Sequence, residues 1–250
     1  MTGFWAQLRD KAHRLYRKAP GIEAIPVLLI GTMAASVWVF FEIADEVVEG
    51  ESRAFDEWVM LSLRSPGDTA NPLGPAWLEE TARDVTAFGS TFALIFISLV
   101  VFFWLLMSKR PHAALLLSIA LVGGTILNNA LKFIFDRPRP DLVAHGTEVF
   151  TLSFPSSHAM LSATVYLTLG VIVMRYSSAL RLKVYAISVA LLLALMVGIS
   201  RIYLGVHWPT DVIAGWAVGA AWASACWLFI LWLQRRGQVE KSPPTENGPA

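Results

Sequence analysis

Six apolar stretches, most of them long enough to cross a bilayer, constrain this chain more than any other feature. They run over about 25–43, 88–107, 113–133, 158–174, 184–201 and 211–233. A hydrocarbon core of roughly 30 Å takes about 20 helical residues. The fourth and fifth stretches are short by that measure, but Arg175, Arg181, Lys183 and Arg201 flank them and can snorkel to the interface. The expected fold is therefore all-α, a polytopic membrane protein with six transmembrane helices. Composition agrees: 55% of residues are hydrophobic and only 16% charged, against roughly 25% charged in soluble domains. The single cysteine, Cys226, excludes an intramolecular disulfide. It lies in an apolar run and reads as a small buried residue.

Lysine and arginine placement sets the orientation. With the N-terminus in the cytoplasm, 13 of the 20 basic residues fall on cytoplasmic segments, as the positive-inside rule requires. The outer side keeps seven: Arg53, Arg64, Arg83, Lys132, Arg137, Arg139 and Arg201. Residues 1–20 read as a cytoplasmic basic amphipathic arm, 21–236 as the six-span domain, and 237–250 as a disordered cytoplasmic tail. The first span follows basic residues, as a signal peptide does. Its length and the acidic segment after it favour an uncleaved anchor. The outer loop, 44–87, carries ten acids from Asp45 to Asp84 against three arginines. Helical spacing around Trp58 and Trp77 predicts two short interfacial helices at 55–63 and 76–85, with a Pro- and Gly-containing turn region between them. This loop is either a solvated connector or a guide for substrate.

Ionisable residues at membrane ends are costly and mark function, and three clusters of them stand out. Lys132 to Pro140 closes the third span, where Pro138 and Pro140 stop the helix and stiffen the chain that presents Arg139. Phe154-Pro155-Ser156-Ser157-His158 opens the fourth span and offers backbone N–H groups at a helix N-terminus, an anion site. Ser200 to Asp211 joins the fifth span to the sixth and holds Arg201, His207 and Asp211. With six alternating spans all three clusters face one side, so Lys132, Arg139, Arg201, His158, His207 and Asp211 can converge. Three cations and helix N–H groups suit a dianionic phosphate. Of two histidines, one can attack phosphorus while the other protonates the leaving oxygen. Asp211, four residues after His207, can fix a ring tautomer as in a serine-protease triad. No metal-ligand spacing accompanies them, so the cations would carry the charge stabilisation.

The order K-x6-R-P, P-S-x-H, S-R-x5-H-x3-D resembles the type-2 phosphatidic acid phosphatase superfamily, which also contains bacterial acid phosphatases and vanadate haloperoxidases. The resemblance covers about 88–215, with support from Ala82 to Ser90. It implies a core of helices around the site, His207 as nucleophile through a phosphohistidine, Asp211 orienting it, and His158 as general acid. It further implies Lys132, Arg139, Ser156 and Arg201 as phosphate ligands, with no metal or other cofactor. Ser157 stands where the family most often has glycine. It keeps the N–H and adds a hydroxyl, so a phosphate-binding role with altered substrate fit is expected.

The resulting expectation is a lipid phosphatase acting on a phosphomonoester or pyrophosphate. Candidate substrates are phosphatidic acid, phosphatidylglycerol phosphate, a polyprenyl (pyro)phosphate or a lipid A-type glycolipid. The bilayer and this amphiphile are its expected partners, with no nucleic acid and no obligatory protein. Its expected place is the bacterial inner membrane, with both termini cytoplasmic and the site on the periplasmic face. The alternatives are a lipid phosphotransferase using the same intermediate, or a silent membrane binding or transport protein. Outside the motifs, Arg137 reads as an interface anchor and His145 as an ordinary loop residue. Asn128 and Asn129 read as helix-to-helix hydrogen bonders. Tyr203 and Trp208 read either as interfacial aromatics or as lining of an entrance. Trp216, Trp222, Trp227 and Trp232 read as a packing and lipid-facing surface.

Overall fold

A computed structural model describes residues 24–145 and 151–236. The basic arm over 1–20 and the tail over 237–250 lie outside the described residues. The first helix, α1, spans Ala24–Glu49, followed by α2 (Arg53–Ser62), a two-stranded hairpin (β1, Arg64–Ser65; β2, Asp68–Pro72) and α3 (Ala76–Ala87). Then come α4 (Thr91–Met107), α5 (Pro111–Phe135), α6 (Ser157–Tyr176), α7 (Leu180–Tyr203) and α8 (Pro209–Arg235). Five of these helices, α1 and α5 to α8, are long and apolar enough to cross a membrane by themselves. The bent pair α3 and α4, with 48° between its members, makes a sixth candidate span. The all-α six-span expectation holds on this structure.

Several element ends differ from the sequence boundaries. The fourth and fifth spans, read as short, are helices of 20 and 24 residues, because polar end turns extend the helix beyond the apolar window. Likewise α1 runs six residues past its apolar stretch, through acids that face outward. The turn region between α2 and α3 contains the β-hairpin, which pairs Arg64 with Pro72 and Ser65 with Asp68.

The bundle is organised on α6. Of its apolar window 67% is buried, against 17–44% for the other four single-helix spans. It packs most extensively on α7 and α8, and α1 packs on α8 as well. Small residues allow the α6–α8 approach: a Cβ added at Gly219 would lie 2.5 Å from the carbonyl oxygen of Met160. Trp222 donates its indole N–H to the Ala120 carbonyl (3.1 Å) and Trp216 to that of Ala194 (2.9 Å), so both serve helix packing. Cys226 is buried with Leu117, Ala120 and Ile230. Phe154 is fully buried between Phe40 and Phe135 and fixes the chain entering α6 against α1 and α5.

Candidate functional site

Local chemistry at four helix ends brings the motif residues together. Helix α5 stops at Asp136, which adopts a left-handed conformation (φ 44°). The next residues cannot resume it, since Pro138 and Pro140 lack the N–H a helix needs. Lys132, one turn before that stop, is buried and donates its ammonium to the carbonyls of Leu152 and Ser153. Helix α6 starts after Ser156, whose N–H is taken by the Asp211 carbonyl (3.0 Å). No side chain caps the start of α6, so its first N–H groups remain available to an anion. Helix α7 ends at Tyr203, and Gly205 turns the chain with φ 74°. A Cβ there would lie 2.7 Å from Val143 and 2.9 Å from the Ala144 carbonyl oxygen, so the turn that presents His207 depends on glycine. Helix α8 opens with Pro209 at its first position. Asp211 in that first turn accepts from the backbone N–H of Trp208 at 2.9 Å.

The histidine and carboxylate meet as the spacing suggested. Nδ1 of His207 lies 3.3 Å from Oδ2 of Asp211, and both residues are buried. Nη1 of Arg139 sits 3.2 Å from the other ring nitrogen, Nε2. A guanidinium can only donate, so Nε2 accepts and the ring proton belongs on Nδ1, facing the carboxylate. Arg139 is anchored by the carbonyls of Val206 (2.6 Å) and Thr151 (2.6 Å). Burial pushes the His207 imidazole well below the ordinary histidine range, and Arg139, Arg201 and Lys132 add to the effect. His207 is therefore neutral at neutral pH.

The remaining predicted residues complete the cluster. Arg201 is buried and donates to the Thr86 hydroxyl at 3.1 Å. His158, in the first turn of α6, has Arg201, His207, Arg139 and Lys132 as its electrostatic neighbours. The Ser156 hydroxyl and Arg201 Nε are buried with no partner. Buried polar atoms are rarely left so, and each is able to donate to an anion oxygen. Ser157 departs from the role expected of its hydroxyl, which donates to Oδ1 of Asn128 at 2.7 Å. Its backbone N–H is what remains for an anion. Among the described residues, no group of three His, Cys, Asp or Glu side chains is placed to hold a metal ion.

Arg137 is not an interface anchor. Its side chain is 12% exposed; Nη1 donates to Oδ1 of Asp211 at 2.6 Å and Nη2 to Oδ2 of Asp56 at 2.8 Å. Two buried carboxylates satisfy it, and that is why it turns inward. Asp56, on α2, and Ser153, whose hydroxyl donates to Oδ2 of Asp211, escaped the motif reading altogether. Thr151 and Thr86 likewise support the motif side chains Arg139 and Arg201. Trp208 is buried beside Met60 and Val143, so it is neither an interfacial aromatic nor an entrance residue. His145 lies 2.7 Å (Nε2) from the Pro140 carbonyl within its own loop.

Beside the cluster a groove of about 450 Å³ opens along α5, lined by Asn129, Lys132, Phe133, Arg137, Pro138, Arg139, Thr151 and Leu152. Phe133 is 85% exposed on the apolar face of α5, the face a bilayer would cover. The groove thus joins a lipid-facing helix surface to two of the cations.

A membrane-length bundle that gathers three cations, uncapped helix N–H groups and a histidine–carboxylate pair at one end defines an integral membrane protein with a buried, cation-rich site. The chain belongs to the PAP2 superfamily, whose profile matches residues 111–235. Phosphatidylglycerophosphatase B of Bacillus subtilis is 31% identical over 144 residues, 57% of this chain and 70% of that protein. An undecaprenyl-diphosphatase of Sulfolobus acidocaldarius is 32% identical over 126 residues, 48% of this chain and 56% of that protein. The crystal structure of the transmembrane PAP2-type phosphatidylglycerolphosphate phosphatase from Bacillus subtilis superposes with a TM-score of 0.74. It is 25% identical and covers 82% of this chain and 98% of that one.

Proposed function

We propose that this protein is a membrane lipid phosphatase that hydrolyses a phosphomonoester or pyrophosphate of an amphiphile through a phosphohistidine on His207. The observation that carries the reading is the pairing around that ring. Asp211 lies 3.3 Å from Nδ1, a guanidinium 3.2 Å from Nε2, and Lys132 and Arg201 complete the positive surround. PAP2 membership and relatives named for phosphatase activity on lipids support it.

In the first step Nε2 of His207 bonds to phosphorus as the phosphorus–oxygen bond to the lipid breaks. His158 gives its proton to the leaving oxygen. Asp211 stabilises the positive charge that the His207 ring acquires. In the second step water, deprotonated by His158, attacks phosphorus, the nitrogen–phosphorus bond breaks, and inorganic phosphate leaves. Lys132, Arg139, Arg201, Ser156 and the N–H groups of Ser157 and His158 hold the phosphoryl oxygens throughout. The cations supply the charge stabilisation, so no metal takes part. The groove along α5 lets the lipid enter from the bilayer with its head group leading. The excess of lysine and arginine on the opposite segments supports an orientation with the site on the periplasmic face of the inner membrane.

The test is a panel of lipid phosphates and pyrophosphates presented in detergent to wild type and His207→Ala. Inorganic phosphate should appear with the wild type alone. Phosphate recovered on an acceptor lipid instead would make the protein a phosphotransferase.

A further inference from the structure

Behind the His207–Asp211 pair lies a buried charge network that the motifs do not contain. Arg137 spans two carboxylates: Asp211 on α8 and Asp56 on α2, the latter 0% exposed. Asp56 also accepts from the Thr210 backbone N–H at 2.9 Å and the Thr210 hydroxyl at 2.7 Å. It therefore supplies a cap to the first turn of α8, the turn that carries Asp211. Arg137 Nη1 donates to the Thr210 hydroxyl as well (2.9 Å), and the Ser52 hydroxyl lies 3.4 Å from Nη2.

The charges in this trio matter for His207. Alone with Arg137 at 2.6 Å, Asp211 would be neutralised as a partner for an imidazolium. With Asp56 sharing the guanidinium, the three groups keep one net negative charge beside the ring. Removing one member of a buried ion pair leaves the other uncompensated, so the effect reaches Asp211 directly. We propose that Asp56 is a positioning residue for phosphoryl transfer, acting through Arg137 and Thr210 to orient Asp211 and to preserve its negative charge toward His207. This rests on the roles proposed above for His207 and Asp211.

The groups facing His207 are Lys132 from α5, Arg139 and Ser153 from the loops, His158 from α6, Arg201 from α7 and Asp211 from α8. None of them changes in the variants that test the idea: Asp56→Asn, Arg137→Gln and the double variant. Asp56→Asn removes the charge while keeping an oxygen for the Thr210 N–H. It should lower kcat roughly 10–100-fold, as loss of a supporting carboxylate behind a working histidine does, with KM within about threefold, since no substrate contact is touched. The order of the acid limbs of kcat/KM is the decisive readout. With Asp56→Asn the trio becomes neutral and the limb moves to lower pH, by about half a unit or more. With Arg137→Gln the trio becomes doubly negative and the limb moves up. In the double variant the net charge is restored and the limb returns to within about 0.3 unit of wild type.

A merely structural clamp would lower the amount of folded protein and leave all limbs together; that result, or an unchanged kcat in Asp56→Asn, overturns the inference. Should a single variant fail to insert, the limb of the remaining single or of the double decides by the same rule. A wild type that releases no phosphate and traps none on histidine would instead overturn the functional reading on which this rests.

Discussion

The hydroxyl of Ser157 donates to Oδ1 of Asn128 at 2.7 Å, tying the first residue of α6 to the buried face of α5. The side chain that departs from the family's glycine therefore joins two helices. Ser157→Gly should lower stability by about 1 kcal/mol, the worth of one buried hydrogen bond, and leave kcat within about threefold. Thermal unfolding in detergent and steady-state assays check both. An unchanged Tm with a new substrate preference would return Ser157 to the pocket.

Removing the reacting groups should separate activity from folding. His207→Ala should reduce kcat by on the order of 10³-fold or more, and His158→Ala by roughly 10²–10⁴-fold, the usual contribution of a proton-transfer group. Arg201→Ala belongs with them, because its guanidinium is buried beside His158 and His207. Membrane fractionation should show each variant inserted. Full turnover in any of the three would sink the mechanism.

The pH profile carries the signature of the His207 environment. In the proposed mechanism the neutral ring is the nucleophile, and burial with three nearby cations pushes its pKa well down. Protonation, which disables it, is thus postponed as pH falls. The acid limb of kcat/KM, corrected for the substrate's own ionisation, should lie below the ordinary histidine value of about 6.5. A limb at 6.5 or above would contradict the geometry around Nε2.

Charge stabilisation by Lys132, Arg139 and Arg201 predicts two inhibitor responses. Vanadate, which accepts a fifth ligand as phosphorus does in transfer, should inhibit competitively with lipid phosphate. Chelators should leave the rate unchanged. Loss of activity on dialysis against EDTA, restored by a divalent cation, would require a metal that the present mechanism does not use.

Entry along α5 predicts a selective defect. Asn129→Trp fills the groove beside Lys132 and Phe133 and should raise KM for a long-chain lipid phosphate about tenfold or more, roughly 1.4 kcal/mol of binding. A small water-soluble phosphate ester reaches the cations without the groove and should keep its KM. Equal effects on both substrates would place the entrance elsewhere.

The sequence reading reached the spans and motif residues because both leave local marks. Apolar runs of bilayer length or slightly less announce α5 to α8, and Pro138, Pro140, Pro155 and Pro209 sit at the breaks where polar groups collect. The polar end turns of α6 and α7 were underestimated, since a hydropathy window stops where a helix need not. Asp56 and Arg137 were beyond reach for a different reason. Asp56 lies in a segment with nine other acids, and its distant contacts with Arg137 and Thr210 distinguish it from a solvated one. Ser153 carries no motif at all and gains its place from the buried turn before α6. A clue for Asp56 existed in the amphipathic spacing of α2, whose inward face carries it together with Met60.

The contact between Asp56 and Thr210 joins residues 154 positions apart, and this has a bearing on biogenesis. Asp56 is translated early, yet its arginine emerges some 80 residues later and its threonine only with the last span. Until α8 is inserted, Asp56 lacks its cap partner and His207 lacks its carboxylate. The proposed site thus comes into being in a single late event, and a nascent or truncated chain ending just before α8 carries His207 without the carboxylate and the cap that frame it.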